Sequence, residues 1–212
     1  MTNAAPSRDP GDDDSLLGTL NTVLRKQLQN TDDMLPARVV AFDRTKNRVQ
    51  VQPLIALVTT SGEQVRRAQV ASVPVVQMGG GGFILNFNLQ PGNLGWVKAN
   101  DRDISLFLQR YQGGPPNTKR MHSFEDAVFI PDVMTGYTLG GEDANAAVLQ
   151  SLDGQYKVSV GGGRVKLAAG GSSVTVSPGG VAIVGVLTIN GQAYLDHQHQ
   201  NGGGTGNSGG VA

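Results

Sequence analysis

The sequence contains no cysteine. Disulfides, thiolate metal sites and cysteine nucleophiles are therefore excluded. Net charge is also missing: Lys and Arg number 17, and so do Asp and Glu. No basic field exists to hold nucleic acid or an anionic lipid surface. Aromatic residues make up only 5% of the chain, too few to predict the exposed rings on which single-stranded nucleic acid stacks. No apolar run approaches the length of a membrane span. The opening residues, Met1 to Asp14, are polar, include Asp12-Asp13-Asp14, and lack the apolar stretch of a signal peptide. These absences predict a protein made and folded in a cytoplasm without Sec export. Any meeting with a membrane then comes from mechanical delivery.

Glycine is abundant: the 212 residues include 30, and more than half of them fall in the last third. That shift marks a boundary between two kinds of structure. Residues 1–34 read as a disordered arm followed by a helix. Ser15 caps the helix, which runs to about Gln29 with Leu16, Leu17, Leu20, Val23, Leu24 and Leu28 on one face. That face packs either on its own domain or on a partner or sister subunits.

Residues 35–112 read as short strands. Ala37 to Phe42 and Val49 to Leu54 flank a turn at Asp43 to Asn47. Strands are also predicted within Gln64 to Pro74, around Val75 to Met78, and at Phe83 to Phe87, Trp96 to Ala99 and Ile104 to Leu108. Gly92 and Gly95 bracket a turn. The run Gly79 to Gly82 lacks the Gly-Lys-Ser/Thr of a phosphate loop and reads as a barrel bend or a close contact at an axis. Five or six such strands behind a helix suit a small closed barrel of the OB type, with Trp96 and Phe83 largely sheltered by the barrel or its neighbours. Residues 113–135, with Gly113-Gly114-Pro115-Pro116, read as a linker or collar.

Residues 136–195 have another texture. Apolar pairs at alternate positions recur: Val158/Val160, Val165/Leu167, Val174/Val176, Val181/Ile183, Leu187/Ile189. Glycines separate them, so each unit is one strand and one tight corner. A single chain cannot bury so thin a ribbon. Three chains wound together place one apolar row on a common axis. A single-chain solenoid is the competing architecture.

Residues 196–212 begin with Asp196-His197-Gln198-His199 and continue as a Gly/Asn tail. In a strand, residues i and i+2 point the same way, so His197 and His199 aim two imidazoles at one point. Three chains around a threefold axis supply six nitrogens, enough for a closed octahedron. Imidazole suits Zn, Fe, Cu and Ni, and six-coordination disfavours Zn. Such a shell leaves no open position for a catalytic water. The further ligands that hydrolases add to His-x-His are missing, since Gln200-Asn201-Gly202 follows and the third histidine is His122. His122 reads as structural. Ser151 and Asp153 lack a nearby base, so no triad forms. The chain is predicted not to be an enzyme, with neither catalytic nor cofactor-binding residues beyond the two metal ligands.

Several segments together resemble the central spike, or membrane-piercing needle, proteins of contractile-tailed phages. They are Gly79 to Phe83, Gln90-Pro91-Gly92-Asn93-Leu94-Gly95-Trp96-Val97, Asp101 to Ile104, Arg120 to Pro131, and His197-Gln198-His199 before the glycine-rich tail. The resemblance runs from about Leu35 to the end. It implies an all-β homotrimer with an N-terminal OB-fold, a triple-stranded β-helix and a metal-bound tip. It further implies one iron per trimer held by His197 and His199, baseplate hub partners at the N-terminal region, and contact with a host outer membrane. The implied location is the tip of the tail baseplate in the virion, after synthesis in the host cytoplasm. A spike of a phage-tail-like bacteriocin and a trimeric tail-fibre or adhesin tip are the alternatives.

Overall fold

The computed structural model describes residues 15–29, 31–59 and 62–194. The N-terminal arm and the expected apex, with His197 and His199, lie outside the described residues. Met1–Tyr137 and Thr138–Ala212 form two separate units.

In the first unit, helix α1 (Leu16–Gln29) starts where expected. Ser15 Oγ accepts the Gly18 N–H at 2.9 Å and caps the first turn. Its apolar face does not pack on its own domain: Leu20 is 51% exposed and Leu16 is 79% exposed.

Strands β1 (Met34–Asp43) and β2 (Arg48–Pro53) form the predicted hairpin. Its turn is held by Asp43 Oδ1, which accepts the N–H groups of Thr45 and Lys46, each at 3.1 Å. β3 (Leu57–Val58) pairs with β4 (Gln64–Val65), and β5 (Val70–Pro74) returns to β2. β6 (Met78–Gly80) and β7 (Phe83–Leu85) make a small hairpin. β8 (Leu94–Asn100) pairs with β1, and β9 (Ser123–Pro131) pairs with β8. The sheet order is β5-β2-β1-β8-β9. Val75 bridges Phe129 in parallel, and the Val76 N–H donates to the Phe129 carbonyl at 2.8 Å. These contacts bring the two ends of the sheet together. The result is a five-stranded, nearly closed Greek-key barrel of the OB type.

Alternation builds the barrel core. Buried and half-buried residues succeed each other along all of β2 and β8. Val39, Val49, Val51, Val97 and Phe129 are at most 1% exposed. Gly95 lies within β8 rather than bracketing a turn. A Cβ there would sit 2.4 Å from Phe129 Cζ and 2.5 Å from the Ile130 carbonyl oxygen. Neither the buried ring nor the backbone can retreat cheaply. Gly95→Ala is expected to lower barrel stability by about 1–3 kcal/mol. Denaturant unfolding of the full chain followed by Trp96 fluorescence checks this; an unchanged midpoint would show that the barrel yields at this point.

Four expectations need correction. Ile104 to Leu108 is not a strand. Asp103 Oδ1 accepts the Ser105 N–H at 2.9 Å, the chain turns, and α2 (Ser105–Arg110) follows. The closing strand is instead β9, which falls inside the segment 113–135 expected as a linker. Gly79 to Gly82 is not a barrel bend: Gly79 and Gly80 lie in β6. Gly81 and Gly82 take φ of 58° and 87° and turn the β6–β7 hairpin. Phe83, on that hairpin, is 83% exposed in the single chain, whereas Trp96 is half-buried and its indole N–H donates to Asp132 Oδ2 at 2.7 Å.

Candidate functional site

The second unit is a sheet. β10 (Ala147–Gln150), β11 (Tyr156–Gly161), β12 (Arg164–Ala169), β13 (Ser172–Ser177) and β14 (Gly180–Val184) pair in sequence order, each antiparallel to the next. β15 (Thr188–Ile189) and β16 (Gln192–Ala193) add a hairpin. Two-residue turns make the meander possible. Gly162 and Gly163 take φ of 58° and 74°, the left-handed pair that a tight hairpin requires. In the longer β10–β11 loop, Ser151 Oγ donates to Asp153 Oδ1, which also accepts the Gln155 N–H at 3.0 Å. Ser151 and Asp153 thus shape a turn.

The predicted alternation of apolar residues is present, but the strands pair differently. Across 147–184 the ladders of the single chain run between consecutive antiparallel strands, so the parallel rungs of a solenoid do not describe this segment. The register aligns Leu149, Val158, Leu167, Val174 and Ile183 in one row across five strands. Ala147, Val160, Val165, Val176 and Val181 form a second row. Both rows lie on one face, because residues two apart in a strand share a side.

Burial in the single chain runs opposite to polarity. On the apolar face, Leu167 is 51% exposed, Val160 53% and Val181 63%. On the other face, Ser159 is only 1% exposed. Isolated exposed valines need no explanation, but a continuous apolar sheet face marks an interaction surface. An open shallow groove runs along the first of these rows, from Leu149 to Ile183, and also takes in Tyr156, Val186 and Leu187.

The polar face has its own cover. A short helical turn, Gly141–Asp143, brings two carboxylates to the three bases that β11 and β12 place there. Lys157 Nζ lies 3.0 Å from Glu142 Oε1 and also meets Asp143. Arg164 reaches both carboxylates at 3.2 Å, and Lys166 lies 2.8 Å from Glu142. Hydrogen bonds from Lys166 and Lys157 bring the Glu142 carboxyl down to about 2. A carboxylate held below its ordinary value stabilises the fold above that value, and the contribution is lost as pH falls through the folded one. The clamp is therefore complete at neutral pH and should fail as pH falls from 4.5 towards 2. Glu142→Gln is expected to flatten the loss of thermal stability over that interval; a profile identical to that of the unaltered chain would mean the clamp carries no stability. The sequence held a signal for it that was missed: Lys157, Arg164 and Lys166 alternate with the valines, opposite an acidic pair.

The first unit has exposed apolar groups of its own. Met78 (68% exposed) and Ile84 (63%) stand beside Phe83 on the β6–β7 hairpin. Tyr111 is 75% exposed and meets Phe107 edge-on at 5.8 Å. Exposed rings are thus present despite the low aromatic content. His122 Nε2 lies 3.2 Å from Asp101 Oδ1. Among the described residues, no three His, Asp or Glu side chains gather to hold a metal ion. No helix among them is long and apolar enough to cross a membrane.

No curated protein matches the chain. Residues 35–132, which take in nearly the whole barrel from β1 to β9, match the family model of the phage protein Gp138 N-terminal domain. By that likeness, which covers just under half of the sequence, the barrel unit is similar to a domain of a phage protein family.

Proposed function

We propose that this protein is the homotrimeric central spike of a contractile phage tail. One observation carries the reading: a five-stranded sheet leaves its apolar face open to water, while the opposite face is covered over β11 and β12 by the Glu142–Asp143 turn. Such a face is stable only when something covers it. Three copies can do this for one another, with each sheet as one wall of a prism and the two valine-rich rows turned inward. The phage-family likeness of the barrel supports the setting.

The function is mechanical. The barrel unit forms a collar that meets the baseplate hub, and the sheet unit forms a shaft. A narrow shaft concentrates the force of sheath contraction on a host outer membrane. His197 and His199 of three chains would close the tip around one metal ion. The donor set fits such a group: six imidazoles, with no thiolate in the chain to compete. The metal would supply cross-linking of three chain ends and no reaction chemistry. Iron is the ion that the resemblance implies. Gold-labelled antibody against the chain should mark the distal end of the tail in intact particles. Label on the head, or particles without the chain, would contradict the reading.

A further inference from the structure

Helix α1 is the feature that this function leaves unexplained. Its six large apolar side chains are all at least half exposed, from Leu20 at 51% to Leu16 at 79%. Their spacing identifies what covers them. With Leu17 at heptad position a, Leu20 is d, Leu24 is a again and Gln27 is d. Leu16 and Val23 then fall at g, and Leu28 at e. Of the polar residues, Gly18, Thr19, Thr22, Arg25, Lys26 and Gln29 fall at b, c and f, while Asn21 shares position e with Leu28. The apolar surface therefore spreads from the a/d seam to the whole g side, and to the e side in the last turn through Leu28. A helix lying in one groove of a partner needs a single stripe at i, i+3/i+4 and i+7. A helix packed against two like neighbours needs both flanks.

We infer that the three α1 helices of the trimer form a parallel three-helix bundle at the barrel end. The inference rests on the trimer proposed above. Charge favours it: both charged residues, Arg25 and Lys26, fall at b and c, so threefold apposition places no like charges in the core. Length points the same way. Fourteen residues make two heptads, near the lower limit for an isolated helix in water. Such a bundle needs its strands delivered together, and the shaft supplies that by raising their effective concentration. Asp32, three residues past the helix, is held to the barrel. The Asp32 N–H donates to the His122 carbonyl at 2.9 Å, and Asp32 Oδ1 pairs with Arg67 at 2.9 Å. Asp32 is thus anchored at the same point of each barrel, as a symmetric bundle requires. Gln27 puts one polar layer on the axis, which sets register at some cost in stability.

The absence of cysteine makes a clean test possible. Leu20→Cys (d), Leu24→Cys (a) and Thr22→Cys (f) are each introduced into the full chain and oxidised or treated with a short bis-maleimide. Positions 20 and 24 should cross-link, joining at most two of every three chains because each thiol pairs once; position 22 should not. Sedimentation of the same samples separates the two levels of the account. Three-chain particles without cross-links at 20 and 24 overturn the bundle and leave the spike standing. Equal cross-linking at 22 also overturns it, since the contact would then lack a seam. Single chains overturn the trimer, and the bundle with it.

Discussion

Aspartate at Val176 or Ile183 is expected to leave a chain whose barrel folds but which no longer assembles. Val176 pairs with Val165 and Val181, and Ile183 pairs with Val174, so each stands within one of the two apolar rows. Both are exposed in the single chain, Val176 at 48% and Ile183 at 44%. If solvent covered this face in the working particle, a carboxylate there would cost little. In a threefold assembly the same change places three like charges around one axis without counterions. Burying an unpaired charge costs several kcal/mol per ion, more than the total stability of many domains can absorb. Thr175→Asp is the matching control. Thr175 lies between these rows on the polar face, opposite Lys166, where a carboxylate gains a partner. The control should assemble and the two face variants should not. Assembly of all three would mean that the valine face lies in solvent.

Replacing both His197 and His199 with alanine is expected to remove the metal and leave the trimer intact. The unaltered protein should carry one metal ion for every three chains. Two imidazoles from one chain make a weak site, whereas six from three chains fill an octahedron. The loss should be confined to the tip, because the rows that would hold the chains together, from Leu149 to Ile183, lie upstream. Acid should release the ion as the imidazoles protonate, near or below the ordinary value of about 6.5. Elemental analysis with absorption at the metal edge distinguishes the outcomes. One metal per chain, or water in the first coordination sphere, would mean an open site and bring hydrolytic chemistry back into consideration.

Much of the fold was legible where local chemistry decides. Ser15 and the leucine spacing located α1, and the Asp43–Asn47 turn located the first hairpin. The alternating valines placed β11 to β14 to within a residue or two. Strand β9 was hidden for a physical reason. Its buried residues are Phe124 and Asp126, then Ala127 and Phe129, so the parity changes inside the strand. The register with β8 shifts between Ala99 and Asn100, and this bulge produces the change. Asp126 also reads as a surface residue, but Arg120 Nε meets it at 2.9 Å and compensates its burial. Ile104 to Leu108 failed differently. A short apolar run suits strand and helix alike, and the Asp103–Ser105 hydrogen bond decided the matter. In the second unit, periodicity shows which residues share a face. It does not show whether a strand's neighbour is the next strand of the same chain or one from another copy.

The mass of the assembled particle at high dilution tests the central claim most directly. Sedimentation velocity or native mass measurement of the full chain should give three chains of 22.2 kDa, with no folded monomer in equilibrium. The expectation rests on the valine face, which is open in the single chain, and on the proposed spike, which sets the number of copies at three. A stable, folded, monomeric chain would contradict the account and leave the apolar face of β10 to β14 in need of another occupant.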